Sequence, residues 1–198
     1  MKAHYPIFIL SLMITSTLFA QPDIGVGLKA GMNVASQKGT GLDYEVDIKS
    51  IVGFHAGGYV NYFLSEPVAI QIEIMFSQKG AKWDEIQYSG KDILKYLDIP
   101  LLVRYQILDI LNVHAGPQFG FMLSGKTKYD DGFEEDAKQY FKSTDVGLVL
   151  GAEGNLPLRI NVTIRYILGL SNIATEEFGN TWKNNVFQIS VGYRLIGK

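Results

Sequence analysis

The stretch "LRINVTIRYILGL", Leu158–Leu170, alternates without a break. Leu158, Ile160, Val162, Ile164, Tyr166, Leu168 and Leu170 fall on one side, and Arg159, Asn161, Thr163 and Arg165 on the other. A period of two is a strand with two chemically different faces. In a soluble sandwich the aliphatic row turns inward and the arginines meet water. In a membrane barrel the aliphatic row meets lipid and the arginines enter the lumen. The fold therefore turns on which face is inside.

The same alternation recurs along the chain, and eight segments carry it: 24–34, 54–64, 68–78, 96–107, 111–124, 144–155, 158–170 and 186–195. Each holds roughly 10 to 14 residues, enough to cross a bilayer when tilted. Three connections are short: "SEP" at 65–67, "LDI" at 108–110 and "LP" at 156–157. The connections at 35–53, 79–95, 125–143 and 171–185 are long and polar. Short turns at one end and long loops at the other predict an all-β fold: an eight-stranded antiparallel up-and-down transmembrane β-barrel. Within the third long connection, "KYDDGFEEDAKQYFK" is expected to form one helical turn.

The ends and the composition narrow the class. Residues 1–20, "MKAHYPIFILSLMITSTLFA", read as a cleaved signal peptide, with Lys2 as the basic start, an apolar run from Ile7 to Phe19, and Ala20 at the cleavage point. That leaves 21–198 as the barrel domain. The absence of cysteine excludes disulfides, thiolate catalysis and thiolate metal sites. A net charge of −2, from 18 basic and 20 acidic residues, gives no sign of a nucleic-acid partner. After residue 20 no apolar run is long enough for a spanning helix.

One series of alternate residues contains no charge: Ile24 to Met32, Val68 to Phe76, Leu97 to Tyr105, and their counterparts on the other strands. The opposite series mixes Lys29, Glu73, Arg104, Glu153, Arg159, Arg165 and Arg194 with Gly25, Gly27, Gly31, Gly57, Gly116, Gly120, Gly147, Gly151 and Gly192. Glycine weakens a solvent-facing strand position for no gain. In an eight-stranded barrel, large interior side chains fit only where others are missing. The charged row is therefore expected to face the lumen as an ion-pair network, with Glu73 near Lys29 and Arg165, and Glu153 nearer Arg159 and Arg194. Aromatic residues of the lipid series fall into two bands, Phe54, Phe76, Phe121, Tyr166 and Phe187 toward the long loops and Tyr62, Tyr105 and Tyr193 toward the short turns. Two such girdles suit the two interfaces of a bilayer.

The segments "GVGLKAGMN" (25–33), "GFHAGGYVNYFLSEPVAIQIEIMFSQKGAK" (53–82), "YLDIPLLVRY" (96–105), "HAGPQFGFML" (114–123) and "FQISVGYRL" (187–195) resemble the outer membrane protein beta-barrel domain of porin-family proteins. That family is related in architecture to the small eight-stranded barrels of the OmpA and OmpX type. The resemblance implies residence in the outer membrane of a Gram-negative bacterium, with long loops extracellular and both mature termini periplasmic. It implies outer-membrane lipid, lipopolysaccharide and the barrel-insertion machinery as partners. Such barrels commonly end on an aromatic residue; this chain ends "YRLIGK", which leaves the insertion signal to Tyr193 or Leu195.

Sites of chemistry are sparse. His55, with Ser77, Asp98 and Ser124 at a similar height, could on paper form a nucleophile arrangement, but no strained nucleophile motif accompanies it. His114 has no evident partner, and the two histidines of 21–198, without cysteine, support no transition-metal site. Asp130, Asp131, Glu134, Glu135 and Asp136 lack the spacing of a calcium loop and read as a solvated surface loop. No catalytic residue, cofactor or metal is expected. The reading is a non-enzymatic barrel with a structural or surface-interaction role and a charge-plugged lumen. The alternatives are a narrow pore for small solutes, a secreted lipocalin-like carrier of an apolar ligand, and a lipid-modifying outer-membrane enzyme.

Overall fold

The computed structural model describes residues 24–40, 47–84, 89–175 and 181–197; the expected signal peptide lies outside them. The strands are β1 (Ile24–Thr40), β2 (Asp47–Ser65), β3 (Val68–Asp84), β4 (Ser89–Leu108), β5 (Leu111–Tyr129), β6 (Glu134–Asp136), β7 (Thr144–Asn155), β8 (Ile160–Gly169) and β9 (Thr181–Ile196). All neighbours run antiparallel in the order β4-β3-β2-β1-β9-β8-β7-β5, and β4 pairs with β5 to close a ring of eight. Closure leaves no unpaired edge around the ring, which is what a sheet in hydrocarbon requires. The short β6 lies outside the ring and covers the upper part of β5, through Lys126–Asp136, Thr127–Glu135 and Lys128–Glu134, where β7 does not reach.

Burial is inverted relative to a soluble protein. Leu28, Met32, Ile72, Ile74, Leu101, Val103, Leu150, Ile164, Ile189 and Val191 are exposed, whereas Lys29, Glu73, Lys79, Asp98, Arg104, Glu153 and Arg165 are buried. The charged row faces inward. Glycines make room for it: a Cβ on Gly151 would overlap the His114 ring and the Arg165 side chain, and one on Gly27 would enter the Tyr59 ring.

Three details depart from the alternation. Strands β1 to β5 run 17 to 20 residues each, so the sheet continues well beyond the expected ends and absorbs much of the first three long connections. A crossing needs only about 9 to 11 residues. The acidic segment is a hairpin closed by β5 and β6 rather than a helical turn. Leu158 and Arg159 belong to the short turn Pro157–Arg159, with φ of 63° and 65°, and β8 starts at Ile160. Leu158, expected on the lipid row, is 82% exposed at that turn.

Candidate functional site

The lumen is filled in layers. Nearest the short turns is a chain of alternating charge across five strands. Arg165 (β8) donates to Glu73 (β3) at 2.5 and 2.7 Å, and Lys29 (β1) lies 3.3 Å from both Glu73 and Glu153 (β7). Arg104 (β4) completes it, 2.5 Å from Glu153. Gln71 donates to Glu73, Thr163 Oγ1 donates to Glu153 at 3.0 Å, and Arg165 Nε donates to His114 Nε2 at 3.1 Å. Lys29 also stands 5.2 Å from the centre of the Tyr59 ring. Buried carboxylates survive only when paired and hydrogen-bonded, and both of these are.

Above this chain, Ala35, Leu102, Val149, Ile167 and Val186 form a fully buried apolar layer, with Ile51 against it. On β4 it separates Arg104 from Asp98, and on β7 it separates Glu153 from Asp145. A second polar cluster follows, where Lys79 pairs with Asp98 at 2.9 Å and Asp145 at 3.1 Å. Asn184 donates to Asp145 at 3.0 Å, and Lys79 lies 4.6 Å from the centre of the Tyr96 ring. Beyond it Leu94, Tyr96 and Ile173 form a second buried apolar cluster, packed by Met122, Phe141 and Trp182.

Of the residues expected in the lumen network, the structure joins Lys29, Glu73, Arg104, Glu153 and Arg165. Arg159 is a correction: the turn sets it at the exposed rim of the short-turn end, where its guanidinium donates to the Leu195 carbonyl at 3.1 Å; it lines a small cleft there with Arg104, Glu153 and Arg194 but joins none of the ion pairs among the described residues. Glu153 consequently pairs with Arg104 and Lys29 rather than with Arg159 and Arg194. Arg194 instead lines a cavity at the short-turn end. Lys79, Asp98 and Asp145 were not expected as a cluster. The parity of β3 (Glu73, Met75, Ser77, Lys79) could have found Lys79, had the strand been extended past Gln78.

The eight girdle aromatics all point outward from the barrel, with Phe54 and Phe76 in ring contact at 5.4 Å. The nucleophile arrangement does not form. His55 Nδ1 is 2.7 Å from Asn33 Oδ1, Asn33 Nδ2 donates to Ser77 at 3.0 Å, and Asp98 pairs with Lys79 and accepts from Ser77 rather than orienting the imidazole. Among the described residues no group of three His, Cys, Asp or Glu is placed to hold a metal ion.

Beyond the long-loop girdle, β2 to β5 present a feature the sequence did not suggest. Lys49, Lys82, Lys91 and Lys128 are direct cross-strand neighbours, forming a row across four strands. Like charges placed opposite each other destabilise a sheet. Carboxylates partly offset them: Asp84 on Lys49 at 2.6 Å, Asp130 on Lys82 at 3.4 Å, and Glu134 on Lys126 at 3.7 Å and on Lys128. The Ser89 hydroxyl, donating to Asp130 at 2.6 Å, and Lys82 hold that carboxyl below its usual range; Lys128 does the same for Glu134. On the inward face of the same extension, burial pushes the Asp92 carboxyl up to about 6, against a 2.7 Å hydrogen bond from Thr127.

A carboxyl raised by folding binds its proton more tightly folded than unfolded. Its contribution is therefore fully present below the unfolded value of 3.8 and is lost as pH rises through about 6. The β4–β5 extension is expected to gain stability on mild acidification. Hydrogen exchange at Asp92 and Thr127, corrected for intrinsic rates, should slow below about pH 6. Asp92→Asn should remove that dependence.

A closed antiparallel ring with an apolar outside, two aromatic bands and a charged, side-chain-filled inside defines an integral β-barrel of the outer-membrane type. A model of the family described as "Outer membrane protein beta-barrel domain" matches residues 19–175, and the chain belongs to that family. No curated protein matches the sequence. Among solved structures, the attachment invasion locus protein Ail of Yersinia pestis is similar at 16% identity and a TM-score of 0.54, covering 86% of this chain and 98% of that one. Ail in complex with the heparin analogue sucrose octasulfate matches at 14% and 0.55, over 87% and 99%. Neisserial surface protein A matches at 9% and 0.54, over 86% and 97%. At these identities the likeness is one of fold.

Proposed function

We propose that this protein is a non-enzymatic outer-membrane barrel whose lumen is plugged, and that it acts through its surface rather than as a channel. The layered lumen carries this reading. A hydrated ion passing along the axis would have to break the Arg165–Glu73–Lys29–Glu153–Arg104 chain and then cross the apolar layer of Leu102, Val149, Ile167 and Val186. The interior space that does remain, at the short-turn end, is lined by Arg104, Arg194, Asn112 and Asn155, which does not suit the apolar ligand of a lipocalin-like carrier. The long loops are extracellular and the short turns and termini periplasmic in this reading. Proteoliposomes carrying the folded protein should not swell in iso-osmotic glycine or small sugars. Swelling above that of empty liposomes would favour a narrow pore.

The surface partner is anionic lipopolysaccharide. The lysine row lies on the same sheet six to seven residues beyond the Phe76–Leu97–Phe121 line, about 20 Å along the strands, on the long-loop side where lipopolysaccharide oxyanions would stand. Each lysine near an anionic membrane surface contributes about 1 kcal/mol. Lys82→Gln with Lys91→Gln is therefore expected to weaken association with lipopolysaccharide-containing vesicles by about 2 kcal/mol, roughly thirtyfold, leaving insertion into phosphatidylcholine unchanged. Equal binding by the double variant and the parent would remove the lysine row from the interaction.

A further inference from the structure

The outer face of the β2–β5 extension carries its charges in tiers. One tier is the row Lys49–Lys82–Lys91–Lys128. Two residues further out, Asp84, Ser89 and Asp130 form the next outward row, with Asp84 opposite Ser89 and the Asp130 amide bonded to the Ser89 carbonyl. β6 adds Glu134 beside Lys128, at the end of the row. Carboxylates thus border the lysines from above and from one side.

Each of them reaches an ammonium group. Asp84 lies 2.6 Å from Lys49 and 3.8 Å from Lys82, and Asp130 lies 3.4 Å from Lys82. Glu134 lies 3.7 Å from Lys126 and pairs with Lys128. Lys91, exposed in the middle of the row, stands in no ion pair among the described residues. The side chains of Asp130 and Glu134 are 60% and 42% exposed, and exposed pairs of this kind contribute little to folding. What they do is neutralise the row, so that any anion reaching it competes with them.

Adjacent strands stand about 4.8 Å apart, so the four lysines span about 14 Å. An anion with one charge exchanges one pair for an equivalent one and gives up its freedom of translation, whereas the tethered carboxylates give up none. An anion with several phosphates inside that span engages several ammonium groups for a single such loss.

We propose that Asp84, Asp130 and Glu134 are an intramolecular stand-in for the ligand of the lysine row, an autoinhibitory contact that clustered phosphates displace and a single small anion does not. This rests on the reading of the row as the lipopolysaccharide contact. The phosphates enter at Lys91, take Lys82 and Lys128 from Asp130 and Glu134, and leave those carboxylates to water. The affinity of the row is set by its own hairpin as much as by its lysines.

The test uses the folded full mature chain in micelles of an uncharged detergent, titrated with inorganic tripolyphosphate. A brief acetylation pulse, read by peptide mass spectrometry, reports the protection of each lysine, and the midpoint of protection is the measurement. Tripolyphosphate should protect Lys82, Lys91 and Lys128 saturably, and sodium acetate at matched ionic strength should not. Asp130→Asn with Glu134→Gln should lower the tripolyphosphate midpoint about tenfold. Asp131→Asn is the control: it removes the same charge from the same hairpin, but Asp131 caps the Phe133 amide at 2.9 Å and stands in no ion pair among the described residues. It should leave the midpoint in place. Equal midpoints for the double variant and the parent, an equal fall for Asp131→Asn, or equal protection by acetate would overturn the displacement. Lys82→Gln with Lys91→Gln, followed at Lys128, separates this from the underlying reading. If that variant raises the midpoint while the carboxylate variant leaves it unmoved, the row is an anion site without the contact. If neither variant moves it, the reading of the row falls as well.

Discussion

Glu73→Gln is expected to destabilise the folded barrel by about 3 to 5 kcal/mol, the loss typical of breaking a buried ion pair from one side. Glu73 is 0% exposed and accepts from Arg165, Lys29 and Gln71. Glutamine keeps the shape but removes the charge, which leaves Lys29 and Arg165 repelling each other in a space that excludes bulk water. Urea unfolding of the protein in vesicles reads the effect. Pairing Glu73→Gln with Arg165→Gln should recover part of the loss, because the second change removes one of the stranded cations. Glu134→Gln, on an exposed pair with Lys128, should leave the curve unmoved. An unaltered midpoint for Glu73→Gln would mean that lumen water screens the network.

The second large effect concerns the outer face. Ile164 and Leu101 lie near the middle of β8 and β4 on the exposed aliphatic row. Arginine at either position should cost about 2 to 4 kcal/mol, the range for a cation facing the bilayer midplane of a barrel. Folding yield into vesicles is the measurement. Leu158→Arg is the internal control: by alternation it belongs to the same row as Ile164, yet the turn places it at the end of the barrel. It should assemble like the parent. Equal yields for Ile164→Arg and Leu158→Arg would contradict the placement of the aliphatic row in lipid.

The faces were legible in sequence because parity is a local property. Once Lys29, Glu73, Arg104, Glu153 and Arg165 shared a row with glycines, an inward-facing charged set followed from strand geometry. What fills the space between them was not legible. Leu102, Val149, Ile167 and Val186 also sit on the lumen parity, but they become a layer only through the register between strands, which no single segment encodes. Arg159 misled for a different reason. Left-handed backbone is usually announced by Gly, Asn or Asp, whereas here Leu and Arg adopt it after Pro157, and the alternation runs unbroken through the turn. The lysine row and Lys79 were hidden because strand ends beyond the bilayer lose the aliphatic half of their pattern, although Asp98 and Asp145 lay inside the segments 96–107 and 144–155. Polar on both faces, such ends look like loop. The histidines were partly readable: His55 was placed on the lumen row, but its bond to Asn33 depends on the β1–β2 register.

Planar-bilayer recording of the purified wild-type barrel tests the closed lumen most directly. With the salt-bridge chain and the apolar layer both in place, insertion should give no steady current step above the bare membrane. Glu73→Gln should add at most brief openings, because the apolar layer remains. A stable, ohmic step from the wild-type protein would show a continuous water-filled path past Lys29 and Glu73, and would make the protein a true pore.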